Sequence, residues 1–217
     1  MGDFIVHGIP GSPFMRSVLA TLIEKGASWQ LASLGPGETR QDAHLARHPF
    51  GRVPVLEHDM FQLYETQAIL RYLDRVLPEP ALTPASPRAA ARMDQLMNIC
   101  DWYLFQGAVS VIGFHRIVGP MLLGLEPDEK AIATAMPKAR KVFGVIADLL
   151  GSNPYMAGDE LSLADLHLAP HFDFVAFTPE WAALSEGHPD LMAWMERMRA
   201  RPGLQHTTMQ ALRAAPA

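Results

Sequence analysis

The stretch His7-Gly-Ile-Pro-Gly-Ser-Pro-Phe14 places the Ser12 hydroxyl on a corner between an apolar, strand-like run and a helical pattern. Pro13 suits a first helical position, where the N–H it lacks has no intrahelical partner in any case. Two readings of Ser12 follow. It is an N-cap, a role worth about 1 kcal/mol, or it is a cap that also holds an anion delivered by a ligand, helped by the N–H groups of the helix start. Hydrolase chemistry fits poorly, because "GIPGS" is not GxSxG and no His/Asp pair can be placed with it. A second corner stands at Glu65-Thr66, where "FQLY" gives way to "QAILRYL". Thr66 reads as an N-cap and Glu65 as a negative charge beside the positive end of the helix. A small zwitterion suits such a corner, its carboxylate on the Thr66 N–H and hydroxyl and its ammonium toward Glu65. Between the corners lies Val53-Pro54. A proline within a strand removes a ladder donor and holds its predecessor extended. If that bond is cis, Val53 can turn its own N–H and C=O toward an extended ligand; otherwise Pro54 is an edge-strand proline and no more. Arg40, in the irregular "GETRQ" stretch, can pair with a second carboxylate at the far end of a groove or lie solvated.

Metal chemistry has less support. Of the scattered histidines, His167 and His171 have HxxxH spacing, but no nearby acidic motif completes a metalloprotease set and Pro170 lies between them. No metal is expected. Cys100 is the only cysteine, which excludes an internal disulfide and a CxxC redox pair, and it reads as core. Trp102, Tyr103, Phe105, Phe114 and His115 make a group richer in rings than a helix core needs, so some are candidates to line an apolar pocket.

The elements that must position these residues divide at the proline-rich "LPEPALTPASP". Before it, the pattern predicts a strand over 3–8, a helix from Pro13 to Gly26, a strand over 29–34 and a short helix over 42–47. A strand through "GRVPVLEHD", a turn at Asp59-Met60, a strand in "MFQLYE" and a helix in "TQAILRYLDRVLP" follow, with Ala68, Ile69, Tyr72 and Leu73 on the buried side. Beyond the linker the chain reads as helical: one long helix over 88–117, a loop over 119–127, and a second helix over 128–150. A capping box at Ser162 and Asp165 opens a third over 163–176, which Pro170 should bend or break. A last helix is expected over 189–199, ahead of a weakly patterned tail.

With 217 residues, the chain is long enough for two small domains, each with a core. Hydrophobic residues make up 49% and charged residues 19%, a composition that folds. The formal charge is -5, and no basic run tracks a phosphate backbone, so nucleic acid is not an expected partner. The sequence has no basic leader followed by an apolar core, and no apolar run of the roughly 20 residues that a membrane helix needs. A soluble cytoplasmic protein is expected.

Four landmarks in order, "GIPGSPFMRSVL", "HPFGRVPVLEHD", "LYETQAILRYL" and "LSLADLHLAP", make the chain resemble the soluble glutathione transferases over nearly its whole length. The absence of a cysteine near residue 12 sets it apart from the cysteine-type branches, and "GIPGS" is similar to the serine-type branch of the plant phi enzymes. The resemblance implies an α/β plus all-α architecture: a thioredoxin-like N-terminal domain over 1–79 and an all-helical C-terminal domain over 88–217. It implies glutathione as co-substrate, a homodimer, and a glutathione transferase that activates the thiol as thiolate for attack on small hydrophobic electrophiles. Ser12 would be the catalytic, thiol-activating residue. Val53, beside cis-Pro54, would meet the cysteinyl backbone; Glu65 and Thr66 would hold the γ-glutamyl end, and Arg40 the glycyl carboxylate. Phe50 would pack toward the partner subunit. Three positions depart from the phi pattern: Thr39 where a histidine is common, His48-Pro49 for Asn-Pro, and Thr66 for serine. A glutathione-dependent peroxidase, an isomerase of the maleylacetoacetate kind (whose Ser-Ser-Cys signature is missing) and a non-catalytic binding protein are the alternatives.

Overall fold

The strand-like runs of the N-terminal third assemble into one sheet of order β2-β1-β3-β4. The computed structural model describes residues 4–214; the expected start of the first strand at Asp3 lies outside them. β1 (Phe4–Gly8) pairs in parallel with β2 (Trp29–Ser33) and antiparallel with β3 (Val55–His58), and β4 (Phe61–Tyr64) closes a hairpin on β3. Two parallel strands need a crossover, here α1 (Pro13–Glu24). A short 3-10 turn, Glu38–Arg40, and the four-residue α2 (Asp42–Leu45) precede β3, and α3 (Thr66–Val76) follows β4. β3 starts later than its apolar pattern, because Pro54 has no N–H to give the ladder.

Fully buried Phe4, Val6, Val55 and Leu56 of the sheet form a core with Val18, Leu19 and Leu22 of α1 and Ile69, Leu70 and Leu73 of α3. Ala68, expected on that face, is exposed. Thr66, Ile69, Leu70 and Leu73 fall at i, i+3, i+4 and i+7, one stripe of a 3.6-residue helix, and Ala68 lies off it. The register aligns His7 with Ala32 on one side and Val55 on the other, and Val55 with Tyr64. The segments that follow β1, β2 and β4 and the one that precedes β3 therefore leave the sheet at the same end.

Among the described residues, this unit comprises residues 4–82 together with 199–214, whereas the sequence pattern placed the division at 79 and 88. Two groups of bonds explain the boundaries. The Leu82 N–H donates to Asp74 Oδ1 (2.9 Å), and Lys25 Nζ, also on Asp74, donates to Pro80 O. After Met198 the chain returns to α1: the Arg16 guanidinium, 4% exposed, donates to Leu204 O (3.1 Å) and Thr207 Oγ1 (3.4 Å). Arg201 forks onto Glu24 at 3.1 and 2.6 Å.

The second unit, Thr83–Met198, is helical. Its first helix, α4 (Pro87–Ile99), runs on through wide π-helical turns at Cys100–Val109 and Phe114–Val118, with α-helical turns at Ser110–Gly113 and Gly119–Leu123. The expected loop at 119 thus begins only at Gly124, whose φ of 62° ends the helix. The helix Glu129–Leu150 is capped by Asp128, which accepts from the Ala131 N–H at 3.0 Å. The helix Leu163–Val175 passes through Pro170 unbroken, contrary to expectation. All but Phe174 of its residues are buried, so packing on every side outweighs the roughly 3 kcal/mol that an interior proline costs. At its start Asp165 accepts from the N–H groups of Met156 (2.8 Å) and Ser162 (2.9 Å), the Ser162 hydroxyl (2.7 Å) and Trp194 Nε1 (2.8 Å).

Candidate functional site

Ser12 occupies the N-cap position of α1 in an extended conformation (φ −60°, ψ 125°). Its main chain does the capping work: its N–H donates to Ile9 O (3.0 Å) and its carbonyl accepts from the Arg16 N–H (2.9 Å). The side chain makes no capping bond. Both readings open in the sequence gave this side chain a capping bond, and the structure corrects that part of each. What stands is a half-buried hydroxyl, uncommitted, at the positive end of a 12-residue helix.

Thr66 is corrected from N-cap to first helical residue; Glu65 takes the cap position, without a side-chain capping bond. Glu65 has φ 71° and ψ 111°, and its carbonyl accepts from the Ile69 N–H at 3.0 Å. A non-glycine residue in this region costs on the order of 1–3 kcal/mol, and such strain concentrates at ligand clamps. The conformation leaves the carboxylate exposed, while Thr66 is 6% exposed. Its hydroxyl enters no hydrogen bond among the described residues. The corner pairs an exposed carboxylate with a hydroxyl on a mostly buried residue.

The Val53-Pro54 bond is cis, with Pro54 buried and Val53 half-buried. Because the β1–β3 ladder ends at His7 and Val55, the Val53 N–H and C=O enter no backbone hydrogen bond among the described residues. They form a short edge that an extended peptide can pair with. Arg40, the last residue of the 3-10 turn, is exposed and has no ion pair among the described residues. Gly51 joins that turn to the Val53 loop. It has φ 61°, and a Cβ there would lie 2.9 Å from Thr39 O, so only glycine lets the two segments meet. Register and close packing thus gather the predicted residues at one end of the sheet: Ser12 after β1, Val53 and Pro54 before β3, Glu65 and Thr66 after β4. Arg40 joins them through the Gly51 contact.

Two residues to which the sequence gave no site role pack at this end. His44 and His48, counted among scattered histidines, are both 2% exposed. His44 Nε2 bonds Arg52 O at 2.7 Å, His48 O accepts from the Gly51 N–H at 2.8 Å, and the His48 ring packs on Tyr64 at 4.6 Å. Burial pushes the His48 imidazole below its usual range, with His44 and Arg52 adding to the effect and Glu65 opposing it. The signals in the sequence were their four-residue spacing, with His44 on α2 and His48 beyond its end, and the His48-Pro49 departure from the phi pattern.

In the helical unit, Cys100 joins His167 and His171 in a buried group whose donor atoms lie within 4.8 Å of one another. His167 Nε2 already contacts Asp101 Oδ1 at 2.7 Å, and His171 Nδ1 bonds His167 O at 2.8 Å. With these bonds the group forms a hydrogen-bonded cluster inside the helical unit. Burial, reinforced by Asp101, pushes the Cys100 thiol up.

Residues 6–81 match the glutathione S-transferase N-terminal domain, and residues 81–202 the glutathione S-transferase C-terminal domain. The probable glutathione S-transferase GSTF2 of Oryza sativa subsp. japonica is 32% identical, over 94% of this chain and 95% of its own length. Glutathione transferase F7 from Populus trichocarpa shares the fold with a TM-score of 0.85 at 30% identity, covering 94% of this chain and 97% of that one. A glutathione S-transferase-I bound with lactoylglutathione follows at 0.83 and 28%, covering 94% and 97%. A thioredoxin-like unit with a helical second unit, matched across both domains by relatives of the plant phi class, places the chain in the glutathione S-transferase family, as one of its enzymes.

Proposed function

We propose that the protein binds glutathione at this end of the sheet and uses Ser12 to hold its sulfur as thiolate for attack on small hydrophobic electrophiles. The observation that carries the reading is the Ser12 hydroxyl, presented at a helix N-terminus and spent on no capping bond. A hydroxyl is a poor base at neutral pH. Its part is to donate a hydrogen bond to sulfur, and a bond made to the charged form favours that form. The helix start acts in the same direction. A thiol with an ordinary pKa of about 8.5 is only a few per cent ionised at pH 7; a depression of about two units makes thiolate dominant and corresponds to roughly 2.7 kcal/mol. The proton leaves to solvent. The sulfur lone pair then forms the new bond to the electrophilic carbon, and the leaving group departs with its electron pair.

Each remaining contact follows from local chemistry. Val53 offers a backbone N–H and C=O to the cysteinyl residue. Thr66 offers its N–H and hydroxyl to the γ-glutamyl carboxylate, and Glu65 faces the ammonium. Arg40 takes the glycyl carboxylate. On the helical unit Phe114, Met121, Leu122, Leu123 and Leu125 are 37–62% exposed, an apolar ridge that suits a hydrophobic co-substrate better than water. Phe50, 70% exposed, supports a homodimer in which its ring enters the apolar groove of the other copy's helical unit, about 560 Å³ and lined by Ile99, Trp102, Tyr103, Val142 and Val145. A cytoplasmic location agrees with this use of a reduced thiol.

The decisive measurement is ultraviolet titration of enzyme-bound glutathione, reading thiolate absorbance against pH. The wild-type complex is expected to ionise about two units below free glutathione. Ser12→Ala should restore most of that difference and lower turnover at neutral pH while leaving glutathione affinity largely intact. An unchanged titration and rate in the variant would remove Ser12 from the chemistry.

A further inference from the structure

Met15 and Met209 enclose the backbone that presents Ser12. A Cβ at Gly8 would lie 2.6 Å from Met15 Sδ, and one at Gly11 would lie 2.8 Å from Met209 Cε and 3.4 Å from Met209 Cβ. Gly11 has φ +90°, a conformation without side-chain bulk to hold it, and the residue after it is Ser12. Met15 belongs to α1 itself, but Met209 arrives from almost 200 positions away in sequence. We infer that Met209 is a positioning residue for the thiol-activating serine: its side chain covers Gly11 and fixes the angle at which the Ser12 hydroxyl leaves the turn.

The segment that carries Met209 is tied to the helix that Ser12 begins. Arg16 serves both ends of the link. Its N–H donates to Ser12 O (2.9 Å), and its buried guanidinium donates to Leu204 O (3.1 Å) and Thr207 Oγ1 (3.4 Å). Thr207, itself fully buried, donates to Gly203 O at 2.7 Å, which fixes the turn two residues before Met209. Gly203 lets that turn approach α1, since a Cβ there would lie 3.1 Å from Ala20 O. The anchoring bonds are polar and directional, whereas the contact on Gly11 is a flexible thioether chain. The segment is therefore placed by its anchors, which hold the Met209 side chain against the turn at Gly11. A displacement of about 1 Å in a reacting group can cost up to 100-fold in rate, so loss of this cover should act on chemistry before it acts on affinity.

The inference rests on the assignment of Ser12 as thiol activator, and the test separates the two. Met209→Ala, Met209→Leu and wild type are compared in three ways: the pH titration of bound glutathione, kcat and KM for glutathione with an activated aryl halide, and amide exchange over residues 9–16 without ligand. For Met209→Ala the bound thiol should ionise about half a unit to one unit higher, with kcat several-fold lower and KM for glutathione within about twofold. Exchange at the Ser12 amide, bonded to Ile9 O, should quicken about tenfold, and Met209→Leu should restore most of each change. A Met209→Ala enzyme with wild-type titration and exchange overturns the inference, even if its melting temperature falls, because Met209 would then be packing alone. Wild-type enzyme that forms no thiolate would instead overturn the Ser12 assignment, while the exchange comparison still decides whether Met209 holds the turn.

Discussion

At the scale of single residues, the proposed site rests on groups left uncommitted among the described residues. Ser12 has a capping position and no side-chain capping bond. Glu65 sits at φ 71°, and the Thr66 residue behind it is 6% exposed. A ligand carboxylate that accepts from the Thr66 hydroxyl gains a hydrogen bond to a charged group, worth roughly 1.5–3 kcal/mol. Thr66→Val should therefore weaken glutathione binding roughly tenfold or more with little change in the pH at which the bound thiol ionises. Arg40→Ala, at an exposed position where water screens the charge, should weaken it only several-fold and less still at high salt. Calorimetric titration checks both; a variant that binds normally yet titrates abnormally would mean that anchoring and activation have been assigned to the wrong residues. The two helix starts and the proline between them were legible because helix-start and proline chemistry is local. The absent Ser12 cap bond was not, since where a hydroxyl turns depends on what surrounds it.

Among the elements, the helix Leu163–Val175 bears the greatest demand. It carries an interior proline through the middle of the helical unit and is held at its start by one carboxylate with four donors. Asp165→Ala would strand those donors in the interior and should destabilise the protein by about 3–5 kcal/mol, read by denaturant unfolding. Burial raises the Asp165 carboxyl above its usual range, with the four donors opposing. As pH falls, the native state then takes up this proton ahead of the unfolded chain, so the group's contribution grows on mild acidification and is lost as pH rises through the native pKa. Asp165→Asn, which cannot titrate, should flatten that part of the stability profile. The capping box was visible in the sequence from its three-residue spacing. Survival of the helix past Pro170 was not, because only burial on all sides offsets the missing hydrogen bond.

For the whole molecule, the proposed homodimer rests on an exposed ring and an exposed groove on the same chain. Phe50 is 70% exposed, and Trp102 and Tyr103 at the groove are 65% and 62% exposed, far more ring surface than an isolated protein leaves in water without use. Phe50→Glu should shift the protein toward monomer in sedimentation velocity at micromolar concentration; a variant that sediments as wild type places the interface elsewhere. The division into units also depends on long-range contacts. The tail had no periodicity worth assigning, yet Arg16, Leu204, Thr207 and the Arg201–Glu24 pair bind it to α1 across more than 170 positions of sequence.

By itself, the sequence determined the order of strands and helices, the linker, the two helix starts and the proline between them, because capping, turn formation and apolar spacing act over a few residues. It also carried the family resemblance, since four landmarks in order are a one-dimensional property. Tertiary structure alone decided which corners share one end of the sheet, that His44 and His48 brace them, that Thr66 lies inside its helix, and that Met209 covers Gly11. Those outcomes depend on strand register and on close approach between residues far apart in the chain, which no local pattern encodes.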